Sequence, residues 1–174
     1  MLKIFVNTWG NYNENGADGG EWITLPMDED ELEAKLESIA EAMEDKDPEW
    51  TIHDYEWEGK IDLGDVNEMD SIQEWNERCQ EVDGLSEYEL KEIAAVMEAF
   101  GYSFSEAMER QQDGDFQFYA DMDMDAVAEA LVNECYITKD TPDIFTRYFD
   151  YAAFARDLRY DGYTETKYGV ILDE

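Results

Sequence analysis

Residues 28–45 read DEDELEAKLESIAEAMED, with Leu32, Leu36, Ile39, Ala40 and Met43 recurring at the i, i+4, i+7, i+8, i+11 spacing of one helical face. That period predicts an amphipathic helix from about Asp28 to Asp45. On either side of it the pattern changes. Residues 2–8 alternate Leu2, Ile4 and Val6 with Lys3, Phe5 and Asn7, and residues 21–25 form a short run stopped by Pro26. Residues 50–57 (WTIHDYEW) are rich in aromatic side chains and read as a third strand. Between the first two strands lies NYNENGADGG (11–20), whose Asn and Gly content is turn chemistry. The first sixty residues are therefore expected to form a β-β-α-β unit, which places the chain in the α+β class.

The middle of the chain reads as helical. Asp70 is placed to cap a helix presenting Ile72, Trp75, Cys79 and Val82, stopped near Gly84. Ser86 and Glu89 have capping-box spacing, in which hydroxyl and carboxylate each satisfy an orphan amide. The helix they open turns Leu90, Ile93, Ala94, Met97 and Phe100 inward and ends at Gly101; a shorter one spans 104–111. Mixed structure then returns. A strand is expected over 116–119, a helix over 125–135, and another from Pro142 with Ile144, Phe145, Tyr148 and Phe149 on its apolar face. Asp150 is placed to cap a further helix with Tyr151, Phe154, Ala155 and Leu158 inward, before a closing hairpin over 163–172. The division expected is 1–60 as an N-terminal α+β lobe, 61–114 as a helical middle lobe, and 115–174 as a C-terminal α+β lobe.

The chain carries 46 acidic and 12 basic side chains in 174 residues, a formal net charge of −34. Residues 1–60 hold 17 acids and 4 bases, 61–120 hold 16 and 3, and 121–174 hold 13 and 5, so no single tail accounts for the charge. Hydrophobic content of 44% and aromatic content of 14% exceed what a disordered polyanion carries, and predict a folded protein with an acidic skin. No apolar run reaches the roughly 18 residues of a membrane span, and no secretory signal opens the chain. Cys79 and Cys135, 56 residues apart without a CxxC partner, read as reduced, partly buried thiols of a cytoplasmic protein. A surface this negative repels nucleic acid and anionic membrane, leaving basic surfaces as partners.

Glu29, Glu33, Glu37, Glu41 and Asp45 stand at unbroken i+4 spacing, a row of carboxylates one every ~6 Å of helix. Each neighbouring pair costs roughly 0.2–0.5 kcal/mol. One DNA strand presents a phosphate every ~3.4 Å of axis, so imitation of a duplex needs several such rows side by side. Asp70, Glu74, Glu77 and Glu81, then Glu87, Glu89 and Glu92, then Glu106 and Glu109 supply candidates, as do Asp121, Asp123 and Asp125. These last three do not make a calcium loop. The sixth position, which needs Gly, is Ala126, and the twelfth, which needs Glu, is Val132. The triplet reads as charge at a helix N-terminus. The lone His53 reads as structural, and there is no GxSxG, Walker or zinc pattern. No enzyme, metal or cofactor is implied.

The segments Ile4-Phe5-Val6, Tyr12-Asn13, Gly20-Glu21-Trp22-Ile23-Thr24-Leu25-Pro26, Ile52-His53-Asp54-Tyr55-Glu56 and Tyr148-Phe149-Asp150-Tyr151-Ala152-Ala153-Phe154-Ala155-Arg156-Asp157-Leu158 closely resemble the ArdA family of antirestriction proteins, in order and over essentially the whole chain. These are carried by plasmids and conjugative transposons. The resemblance implies an elongated, curved homodimer of three small lobes whose carboxylates mimic bent DNA. It implies binding in the DNA groove of type I restriction–modification enzymes, on the specificity and methyltransferase subunits, to protect incoming mobile DNA. It also places the dimer contact in the C-terminal lobe, here at Tyr148, Phe149, Tyr151 and Phe154. Two other readings of the charge are an acidic chaperone or adaptor for basic proteins and a halophile's charge-adapted protein.

Overall fold

A computed structural model describes residues 1–173, which form two small antiparallel sheets and the helices packed on them, an α+β fold. The chain divides into two compact units, Met1–Leu85 and Ser86–Glu174. The segment 61–114, expected to stand as a helical lobe, contributes one helix to the first unit and two to the second. Among the described residues no helix is long and apolar enough to cross a membrane.

In the first unit β1 (Leu2–Thr8) lies between β2 (Glu21–Leu25) and β3 (Trp50–Trp57), antiparallel to both. The register sets Leu2 opposite Leu25 and Trp57, and Ile4 opposite Ile23 and Tyr55, so the apolar set of all three strands shares one face. Two helices cover that face. The first is α2 (Glu29–Ala42), through Leu32, Leu36 and Ile39; the second is α3 (Ile72–Glu81), through Ile72, Trp75 and Cys79. Asn76 and Gln80 of α3 fix where α2 begins. Asn76 accepts from the Met27 amide at 2.8 Å, and Asn76 and Gln80 both donate to the Met27 carbonyl, at 2.9 and 2.7 Å.

Three local expectations need correction. The Asn-rich stretch is not all turn, because α1 (Trp9–Asn15) is helical. Thr8 Oγ1 accepts from the Asn11 amide, Asn11 donates to Asn7 Oδ1 at 2.9 Å, and Asn15 donates to Asn11 Oδ1 at 2.9 Å. Asparagine side chains supply the hydrogen bonds that hold this turn of helix, and hydrophobic periodicity is blind to them. The α2 helix also stops early. Glu44 adopts φ +58°, its amide donates to the Glu41 carbonyl, and the Asp45 amide donates to the Ala40 carbonyl at 3.0 Å, a Schellman closure. Lastly, Ser71 rather than Asp70 caps α3, accepting from the Glu74 amide, while Asp70 accepts from Trp75 Nε1 at 3.0 Å.

In the second unit β6 (Gly169–Asp173) lies between β4 (Phe116–Ala120) and β5 (Thr164–Thr166), and β5 and β6 form the expected closing hairpin. On one face α4 (Glu87–Phe100) stacks Phe100 on Phe116 and rests Tyr88 against Phe118. It opens with the expected capping box and ends at Gly101 in the left-handed conformation. The next helix, α5 (Phe104–Asp113), has a second capping box from Ser103 and Glu106. On the other face α6 (Met124–Leu131) and α8 (Tyr151–Tyr160) bury Val127, Ala128, Ala155 and Leu158 against Val170. Asp150 caps α8, accepting from the Ala153 amide at 2.9 Å. The helix expected over 125–135 is broken, since α6 passes into a π turn at Val132–Tyr136. Between them α7 (Asp143–Tyr148) has no buried residue. Of the two thiols, Cys79 is in the core, where burial pushes it up to about 11, and Cys135 is exposed rather than partly buried.

Candidate functional site

The first unit carries 25 acids against 5 bases and the second 21 against 7, so both are strongly negative. Glu29, Glu33, Glu37 and Glu41 are exposed along α2, spanning ~18 Å at 1.5 Å per residue. Asp45 lies beyond the helix end, so the regular row has four members rather than five. All five carboxylates nonetheless line one groove of about 660 Å³. Its apolar surface comes from Leu32, Leu36, Ala40 and Trp50, and Lys46, Pro48 and Gln73 complete it. Among the described residues none of the five acids is in an ion pair.

The groove was not anticipated from the sequence, although a signal for it exists. Leu32-Glu33, Leu36-Glu37 and Ala40-Glu41 repeat an apolar–acid pair every four residues. Each acid follows its apolar neighbour by one residue, ~100° around the helix, so an acidic ridge flanks the apolar one. Gln73 and Trp50 join them only through the tertiary fold.

The other candidate carboxylates meet different fates. Glu74, Glu77 and Glu81 are exposed on α3, and Glu109 on α5. Glu87 and Asp121 share Lys91, at 2.8 and 2.7 Å. Glu89 and Glu106 accept from the Ser86 and Ser103 hydroxyls and also from their amides in the capping boxes, and those bonds, the hydroxyl ones foremost, hold both carboxyls below the usual range. Asp123 caps α6 by accepting from the Ala126 amide at 2.8 Å, with Asp125 exposed in the first turn. Both fit the expected role at a helix N-terminus. Asp70 is half-buried.

Glu92 departs furthest from expectation, being only 8% exposed. It accepts from Gln111 Nε2 at 3.1 Å and faces no cation in an ion pair among the described residues. Burial raises its pKa, the Gln111 bond opposes the rise, and the nearby Glu89 charge adds to it. Glu92 is thus enclosed by the α4–α5 packing rather than displayed on the surface like its acidic neighbours.

The aromatic segment expected to form a subunit contact is partly solvent-facing. Tyr148 is 77% exposed, while Phe149, Tyr151 and Phe154 are partly buried, with Phe149 making ring contacts at 4.9 Å to Tyr151 and 5.9 Å to Phe154. Ile144 and Phe145, assigned inward by periodicity, are 65% and 48% exposed, and Tyr136, at the end of the preceding π turn, is 61% exposed. His53 is the extra residue where the β1–β3 register shifts, and it stacks on Tyr12 at 4.0 Å.

Two α+β units, each with a large excess of acids over bases, make this an acidic, polyanionic protein as a class. Residues 4–172 match the family model described as antirestriction protein (ArdA), and the chain belongs to that family. No curated protein matches it.

The buried Glu92 gives a pH-dependent prediction. Its folded pKa is raised above the unfolded value, so its stabilising contribution is full below the unfolded pKa and is lost as pH rises through the folded one. Glu92→Gln keeps the acceptor for Gln111 and removes the charge. The variant is expected to melt higher than the parent above neutral pH, with the difference closing towards pH 4. Calorimetry across that range checks it; a variant less stable at every pH would refute the assignment.

Proposed function

We propose that the protein is a DNA mimic that binds the DNA groove of type I restriction–modification enzymes, on their specificity and methyltransferase subunits, and thereby shields incoming mobile DNA. It acts in the cytoplasm, where enzyme and DNA meet, and it performs no chemistry of its own. The observation that carries this reading, beside membership of an antirestriction family, is the carboxylate row of α2, exposed and, among the described residues, without ion pairs, in a unit with a five-to-one excess of acids. A helix with bases at i+4 would remove the repulsion at no structural cost. Its retention is explained if a basic surface is the intended neighbour. A groove evolved to hold phosphates meets a spaced array of negative charge, releases its counterions and closes on the protein.

The test is displacement. Added to a type I methyltransferase already holding labelled DNA, the protein is expected to release the DNA at low salt, followed by fluorescence anisotropy. Glu37→Gln alone should change the midpoint by about twofold or less, whereas Lys at Glu29, Glu33, Glu37 and Glu41 together should raise it by roughly two orders of magnitude, since the charges act as a set. No displacement from several such enzymes would refute the proposal.

We further propose that the protein acts as a homodimer, joined through the aromatic surface around α7. A helix with no buried residue, presenting Ile144, Phe145 and Tyr148 to solvent, is the kind of apolar patch that marks an interface. In a chain this negative, self-association also needs a weakly charged contact, and this segment supplies one. Sedimentation velocity at micromolar concentration is expected to show a dimer, and Phe145→Asp with Tyr148→Asp a folded monomer. A monomeric parent would overturn the assignment.

A further inference from the structure

A polyanion needs charge on a surface and nothing beneath it, yet the carboxylates of α2 border a hollow. Its volume of about 660 Å³ falls within the range of ~300–1,000 Å³ typical of sites that bury a ligand. The rim is acidic and the floor is apolar, formed by Leu32, Leu36, Ala40 and the Trp50 ring. Long cationic side chains are complementary to both features. Their methylene stems lie on apolar surface while the charged head reaches polar groups, and an indole face attracts a cation. Among the described residues Lys46 is the only base in the lining.

We propose that this groove seats lysine or arginine side chains from a basic segment of the partner protein, stems on the Leu36, Ala40 and Trp50 floor and heads among Glu33, Glu37 and Glu41. The inference rests on the reading that the partner offers a basic surface, and adds to it a contact that DNA itself does not make. A collective field ignores stem length; a seat depends on it.

The probes are two capped tetrapeptides of equal charge, one of lysine and one of 2,4-diaminobutyric acid, which has two fewer methylenes in each side chain. Binding is measured at 0.3 M salt, to screen the general field, by NMR of the Trp50 indole and Ala40 methyl. One fully buried stem predicts about tenfold tighter binding of the lysine peptide, with shifts at both groups. Gln73→Trp fills the groove from an exposed, uncharged position and is expected to bring the two peptides to parity; Ala40→Leu fills it from the floor if tryptophan is not tolerated. Equal binding of both peptides to the parent would overturn the seat, as would a stem preference that survives filling. DNA displacement separates the two proposals. If the parent still releases DNA while the peptides bind alike, the seat falls and mimicry stands. If stem length matters but no DNA is released, mimicry falls and a seat for basic proteins remains.

Discussion

Like-charge repulsion governs this molecule. Forty-six acids on 174 residues are met by only twelve bases, and the net charge of −34 that remains opposes any compact state. The fold therefore rests on apolar cores set within each unit. Leu2, Ile4 and Val6 are fully buried between two neighbouring strands and beneath α2 and α3, while Val127, Ala128 and Val170 play that part in the second unit. The bases are placed for long reach. Lys91 joins α4 to Asp121, and Arg110 of α5 joins Asp115 to Asp173 while lying over the Phe116 ring. Exposed pairs of this kind are each worth about 0–1 kcal/mol, so they steer the chain more than they hold it.

Acids are used locally wherever they can help. Glu89 and Glu106 close capping boxes, Asp123 and Asp150 cap α6 and α8, and Glu29, Asp30 and Glu31 face the positive end of the α2 dipole. Within α2, subtracting the first-turn acids leaves Glu33, Glu37 and Glu41, whose mutual repulsion costs roughly 0.4–1 kcal/mol for the two adjacent pairs. That cost is small enough for the core to carry. Among the described residues no ion pair offsets it within the fold.

Much of the architecture was legible because it is written in periods. The alternation of Leu2, Ile4 and Val6, the α2 stripe, and the Ser86/Glu89 box all stand in the structure where sequence reasoning puts them. What escaped has physical causes. Helix α1 is held by Asn7, Asn11 and Asn15 side chains, which hydrophobic patterns do not register. Helix α7 has an apolar face like any core helix, and nothing in a sequence says whether the chain itself covers that face. Glu92 has the same letter as its exposed neighbours, and only the packing of α4 against α5 encloses it. The groove combines residues of α2 with Trp50 and Gln73, brought together by tertiary packing alone.

If the carboxylates act together as proposed, no one of them behaves as a hot spot, and mimicry shows in how binding responds to salt. The dissociation constant of the protein with a type I methyltransferase, measured across monovalent salt, tests this most directly. If the protein binds as a polyanion, log affinity falls straight and steeply with log salt, on the order of a thousandfold weakening between about 50 and 200 mM, as for a protein making several phosphate contacts. A constant that moves by less than about threefold over that interval would contradict it.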